Sequence, residues 1–188
     1  MINKAVFLDR DGTLNVDKGY VHRVEDWEWI PGAIEALISL KKAGFLVIVV
    51  TNQAGIARGF YTDAAVCDLH TWVNNELKAY GAEIDGFYLC PHHSEFTGAC
   101  ECRKPMPGMI HKAKLDFDIT LNRSWLIGDK ASDIHCGLSA GVKPILVLTG
   151  YGKQERALLS DDLTCATDIL SASSLIISES VNSCDLST

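Results

Sequence analysis

The chain has 188 residues, 47% hydrophobic and 22% charged, which suits one soluble domain with a real core. A net charge of −7 argues against general nucleic-acid binding, because phosphate contacts need a basic face. No apolar run approaches the roughly 18 residues of a membrane span. "MINKAVFLDRDG" is broken by acids too early for a signal peptide, so a cytoplasmic location is expected.

In chain order, short apolar runs alternate with helical patterns. "AVFL" (Ala5 to Leu8) reads as a strand ending at Asp9. "PGAIEALISLKKAG" follows as a helix, with Pro31 expected in its first turn, Lys41 and Lys42 near its end and Gly44 as its stop. "FLVIVV" (Phe45 to Val50) is a second strand, ending at Thr51. "TDAAVCDLHTWVNNELKAYG" is a helix capped by Thr62 or Asp63 and stopped at Gly81. "GFYLC" (Gly86 to Cys90) is a third strand, and "PGMIHKAKLDF" a helix. "SWLIG" (Ser124 to Gly128) ends at Asp129, "SDIHCGLSAG" is a helix, and "PILVL" (Pro144 to Leu148) ends at Thr149. The nearly continuous apolar character of these runs is that of strands buried on both faces. Alternation of strand and helix predicts an α/β fold with a parallel sheet wrapped by helices, spanning residues 1–188 as a single domain. The serine-rich end is expected to hold one short docked helix, with a frayed tail from about residue 176 to 188.

In open α/β sheets, ligands bind beyond the carboxyl ends of the strands. Here those ends carry Asp9, Thr51 and Asp129. In "DRDGT", Asp9 is placed to attack an electrophile, giving an acyl-phosphate if the substrate is a phosphoester. Asp11, two residues on, is placed to protonate the leaving oxygen and later to deprotonate water. A Mg²⁺ would draw oxygen ligands from Asp9, Asp129 and the Asp11 carbonyl. In "TNQAGIARG", a hydroxyl, an amide and successive backbone N–H groups form a phosphate cradle. Lys104 offers a positive charge to a transferring phosphoryl group, and Arg103 beside it suits a phosphate or a diol. Lys130 follows Asp129 and is a candidate substrate contact. Asp133 could bind a metal-bound water, pair with Lys104 or cap its helix.

"CPHHSEFTGACEC" gathers Cys90, Cys100 and Cys102 with His92 and His93. A reducing compartment disfavours disulfides. Three thiolates and one imidazole suit tetrahedral Zn²⁺ in a closed structural site, with free side chains as the alternative.

These motifs together resemble the haloacid dehalogenase (HAD) superfamily of phosphohydrolases. "FLDRDGTLNVDKGYVH", "VVTNQAGIARG", "CPHH", "CECRKPMPGM" and "IGDKASDI" carry the resemblance, across about residues 4 to 150. It implies a Rossmann-like fold without a large cap domain. The branch it is most similar to acts on heptose 1,7-bisphosphates, so the implied reaction is Mg²⁺-dependent removal of the 7-phosphate, in ADP- or GDP-heptose biosynthesis. Carried over by resemblance, Asp9 is the nucleophile and Asp11 the general acid/base, with Thr51 and Lys104 stabilising the phosphoryl group. Asp9, Asp11 and Asp129 hold Mg²⁺. Asp17, Lys18, Gly19, Tyr20, Thr51, Asn52, Gln53, Ala54, Arg103, Lys104 and Lys130 line the substrate site. Cys90, His92, Cys100 and Cys102 hold Zn²⁺, with His92 rather than His93 chosen by the resemblance. The zinc loop is short, and Ala54 stands where many relatives carry a small hydroxyl residue. A monomer is expected, with a small sugar phosphate as its partner and no nucleic acid or membrane. Histidinol-phosphate phosphatase activity is the alternative within the superfamily. A catalytically inactive, zinc-stabilised interaction module is the alternative outside it.

Overall fold

The computed structural model describes residues 3–185, and the side chains of residues 3–181. In chain order the elements are β1 (Ala5–Leu8), α1 (Ala33–Lys42), β2 (Leu46–Asn52), α2 (Ala54–Ala57), α3 (Asp63–Lys78) and β3 (Gly86–Cys90). Then follow α4 (Ser94–Thr97), α5 (Gly108–Phe117), β4 (Trp125–Gly128), α6 (Ala131–Ala140), β5 (Lys143–Val147), α7 (Gly152–Glu155), β6 (Cys165–Ala166) and α8 (Ile169–Asp185). The six strands form one sheet in the order β3-β2-β1-β4-β5-β6, with every neighbouring pair parallel.

β1 sits in the middle, and the two-residue alternation of a strand explains its packing. Val6 and Leu8 face one core with residues of α1, α3 and α8. Ala5 and Phe7 face the other with residues of α5 and α6. Register then sets the site. Leu8 pairs with Val49 of β2 and Ile127 of β4, so Asp9, Thr51 and Asp129 emerge along one edge of the sheet.

Three details differ from the sequence expectation. Pro31 lies ahead of α1 rather than in its first turn, because Gly32 takes a left-handed φ of 82° and the helix starts at Ala33. β6 was not foreseen, being only two residues long. The serine-rich end does not fray from residue 176. It forms α8 as far as Asp185, burying Ile169, Ala172 and Ile176; residues 186–188 of the expected tail lie outside the described part.

Candidate active site

Lys104 is buried, and its ammonium sits between two carboxylates, 2.6 Å from Asp9 Oδ1 and 2.6 Å from Asp133 Oδ1. It also donates to the Val50 carbonyl at 2.8 Å. Loop and strand are stitched at the same point. The Lys104 N–H donates to Asn52 Oδ1 (3.0 Å), and Asn52 Nδ2 donates to the Lys104 carbonyl (3.1 Å). Burial works against both charges. For Lys104, Asp133 and Asp9 more than offset it and hold the ammonium protonated well above the usual lysine range. For Asp9, burial is outweighed by Lys104 and Lys130, and the carboxyl is held below its usual range. Asp133 is pushed up to about 6, chiefly by burial, with Lys104 pulling the other way. It also accepts the Lys130 N–H at 3.0 Å, capping α6. Asp133 therefore both caps its helix and pairs with Lys104.

Asp129 is fully buried. Its Oδ2 accepts the Tyr151 N–H at 2.9 Å, while its Oδ1 has no hydrogen-bond partner. Burial, and then the charge of Asp9, push its carboxyl up to about 8. Asp9, Asp129 and Asp133 offer oxygens that lie within 4.8 Å of one another. Gly12 and Gly150 close the cradle, since a Cβ on either would stand 2.2 Å from Asp129 Oδ2. A buried orphan oxygen beside a second carboxylate fits a hard divalent cation.

The Asp11 carboxylate turns away from this cluster. It accepts from Arg10 Nη2 (3.0 Å), Asn15 Nδ2 (3.0 Å) and Gln53 Nε2 (3.1 Å). Thr51 is buried and receives the same Gln53 amide at 2.9 Å. A pocket of about 40 Å³ lies between Asp9, Asp11, Thr51, Asn52, Lys104, Lys130, Ser132 and Asp133. Beside it, a cavity of about 390 Å³ is lined by Asp11, Asp17, Gly19, Tyr20, Asn52, Gln53, Ala54, Tyr61, Lys130 and Tyr151. Lys130 reaches Asp17 at 3.3 Å and lies 4.8 Å from the centre of the Tyr151 ring.

The structure thus gathers most of the expected residues, but not all. Lys18 pairs with Glu28 at 2.8 Å and lines neither space. Arg103 lines neither either; it donates to the His92 carbonyl at 3.1 Å, so it faces the cysteine loop in this structure. Tyr61, Ser132 and Tyr151 line the site without having been foreseen. The polar end of β5 hinted at one further support, for Thr149 donates to the Gly12 carbonyl at 2.7 Å.

In the cysteine loop, Cys90, His92, Cys100 and Cys102 present their ligand atoms within 4.8 Å of one another. The sulfur separations are 2.9 Å (Cys90–Cys102), 3.5 Å (Cys100–Cys102) and 3.6 Å (Cys90–Cys100), and His92 Nδ1 is 3.3 Å from Cys102. A disulfide needs about 2.05 Å. Zinc–sulfur bonds of about 2.3 Å give tetrahedral edges of about 3.8 Å, which the two Cys100 separations approach and the Cys90–Cys102 pair falls short of, so the cluster has the ligands and the reach of a zinc site. The ring of His93 is engaged elsewhere, accepting the Glu95 N–H at the start of α4.

A parallel sheet bearing aspartates, a threonine and a buried lysine at its carboxyl edge is the framework of a HAD-like hydrolase. A family model described as HAD-hydrolase-like matches residues 101–172. The solved D,D-heptose 1,7-bisphosphate phosphatase of B. bronchiseptica, complexed with magnesium and phosphate, superposes with a TM-score of 0.87 at 31% identity, covering 94% of this chain and 99% of that one. Its counterpart from Burkholderia thailandensis gives 0.71 at 30% identity, covering 94% of this chain and 99% of its own. The D-glycero-β-D-manno-heptose-1,7-bisphosphate 7-phosphatase of Pasteurella multocida (strain Pm70) is 46% identical over 154 residues, 79% of this chain and 84% of the relative. That of Escherichia coli (strain K12) is 46% identical over 152 residues, 78% and 80%. The chain belongs to this family of heptose-bisphosphate phosphatases.

Proposed function

We propose that the chain removes the 7-phosphate of D-glycero-β-D-manno-heptose 1,7-bisphosphate through an aspartyl-phosphate on Asp9. The observation that carries the reading is the Lys104–Asp9 pair, 2.6 Å apart, buried and lining the small pocket beside the cavity. Asp9 is kept ionised, as a nucleophile must be. An Asp9 oxygen attacks phosphorus while the bond to the sugar oxygen breaks, and Asp11 gives that oxygen a proton. Water then attacks the aspartyl-phosphate, Asp11 takes its proton, and phosphate leaves. Lys104 and the Thr51 hydroxyl oppose the charge that gathers on the phosphoryl oxygens. Asp9, Asp129 and the Asp11 carbonyl would hold Mg²⁺, which when bound supplies charge neutralisation at the phosphate. The polar cavity beside Tyr20, Gln53 and Lys130 supports a sugar-sized substrate.

The same reading covers the rest of the chain. Cys90, His92, Cys100 and Cys102 hold a structural Zn²⁺ whose four protein ligands leave no open position for water. Its task is to fix the loop that delivers Lys104. One domain carries the whole function, acting on a small sugar phosphate. No helix among the described residues is long and apolar enough to cross a membrane.

Phosphate release, with Mg²⁺ present, from the α and β anomers of the bisphosphate, from histidinol phosphate and from an aryl phosphate tests the reading. The highest kcat/KM is expected for the β anomer, with Asp9→Asn losing at least ~10³-fold. Preference for histidinol phosphate would overturn the sugar assignment. No turnover of any substrate would overturn the enzyme reading.

A further inference from the structure

Arg10 stands between the two aspartates of the motif, and it is fully buried. A buried guanidinium is costly unless its donors are used. Arg10 Nη1 lies 3.3 Å from His70 Nε2 on α3, and Nη2 donates to the Val21 carbonyl. The same Nη2 reaches both oxygens of Asp11, at 3.0 Å from Oδ1 and 2.9 Å from Oδ2. Asn15 and Gln53 each hold one Asp11 oxygen. Arg10 touches both, and with Asn15 on Oδ1 and Gln53 on Oδ2 it holds the carboxylate in place.

His70 is suited to steady this arginine. Its ring stacks on Phe87, 4.3 Å between centres and 16° from parallel. Burial, and then Arg10 itself, push its imidazole down to about 3, so the ring stays neutral, and the tautomer protonated on Nδ1 accepts from Arg10 through Nε2.

We propose that Arg10 is a positioning residue for the acid/base Asp11, and that His70 on α3 anchors it. This rests on the phosphatase reading given above. The role is to aim Asp11 at the leaving oxygen during the first step. The Asp9–phosphorus bond forms, the phosphorus–oxygen bond to the sugar breaks, and the Asp11 proton passes to that oxygen. Arg10 touches neither substrate nor proton. Its contact with Val21, which follows the Asp17–Tyr20 segment, ties the same group to the wall of the cavity.

Leaving-group dependence separates aiming from mere support of the fold. A sugar alkoxide needs the proton of Asp11, whereas nitrophenolate leaves without it. The experiment measures kcat/KM for heptose 1,7-bisphosphate and for p-nitrophenyl phosphate on the same preparation of each variant. The fraction misfolded then cancels in the ratio. Arg10→Lys and His70→Leu are expected to lose at least ~10-fold more on the sugar phosphate than on the aryl ester, within the ~10²–10⁴-fold range of general acid catalysis. His70→Gln, which restores an acceptor, should move the ratio back toward that of the natural protein. Equal losses on both substrates in His70→Leu, or no loss on either, would overturn the proposal and leave the phosphatase reading standing. If the natural protein hydrolyses neither substrate, the phosphatase reading fails first.

Discussion

Gly12 shows how tightly single residues are specified around Asp129. Its φ of 94° is a backbone state that other residues enter at a cost of about 1–2 kcal/mol. Its missing side chain also leaves room for a carboxylate, since a Cβ would stand 2.2 Å from Asp129 Oδ2. Gly12→Ala is therefore expected to push Asp129 aside and raise the Mg²⁺ concentration for half-maximal phosphate release roughly tenfold, equivalent to ~1.4 kcal/mol of binding. A magnesium titration of activity checks it; an unchanged midpoint would separate Asp129 from the metal. At this scale Asp9, Thr51, Lys104 and Asp129 were legible, because each polar residue follows an apolar run or begins a helix approach. Arg10 was not. A charge between two acids reads as a solvated neighbour, and only the fold reveals that α3 brings His70 against it. For Arg103 the chemistry was legible, since it suits a phosphate, but its partner was not: the fold sets its Nη1 on the nearby His92 carbonyl.

Among the elements, the strands were legible because both faces of the sheet are covered, which leaves runs of apolar residues unbroken. β6 is too short to leave such a run. α8 was under-read because its serines resemble a tail. Ser173 and Ser174 donate to the Leu170 carbonyl and Ser180 to that of Ile177, so the hydroxyls fold back on the helix instead of breaking it. Ile169, Ala172 and Ile176, spaced as i, i+3 and i+7, were the signal available in the sequence. The cysteine loop is the element with the sharpest consequence. Between Thr97 and Gly108 it has no helix or strand of its own, yet it carries Lys104 into the sheet edge. If zinc supplies the missing rigidity, elemental analysis should find one zinc per chain. Cys102→Ala should lose it, with kcat falling at least ~10-fold as Lys104 loses its fixed place. Full activity in a protein purified without zinc would refute that dependence.

For the whole molecule, the site and the fold are one construction. Three strand ends and one loop meet around Asp9, so forming the sheet forms the site and buries its charges in the same event. That coupling makes stability depend on pH in opposing ways. Asp129 and Asp133, raised to about 8 and about 6, contribute stability that is present at low pH and lost as pH rises through those values. His70 acts the other way. Its folded value of about 3 lies below the ordinary 6.5, so the unfolded chain binds its proton first. The His70 contribution is therefore complete above 6.5 and is lost progressively as pH falls from there toward 3. Each pH unit inside that window is worth ~1.4 kcal/mol, or about 2 kcal/mol between pH 7 and pH 5. Urea unfolding of the natural protein and of His70→Gln at both pH values isolates this part, because the carboxylates contribute equally to each. The difference in unfolding free energy between the two proteins should shrink by about 2 kcal/mol, in favour of the variant, on going from pH 7 to pH 5. A difference that does not change with pH would mean that His70 takes up its proton alike in the folded and unfolded chains, so that it is charged at pH 5 in the folded protein and Arg10 would then need another acceptor.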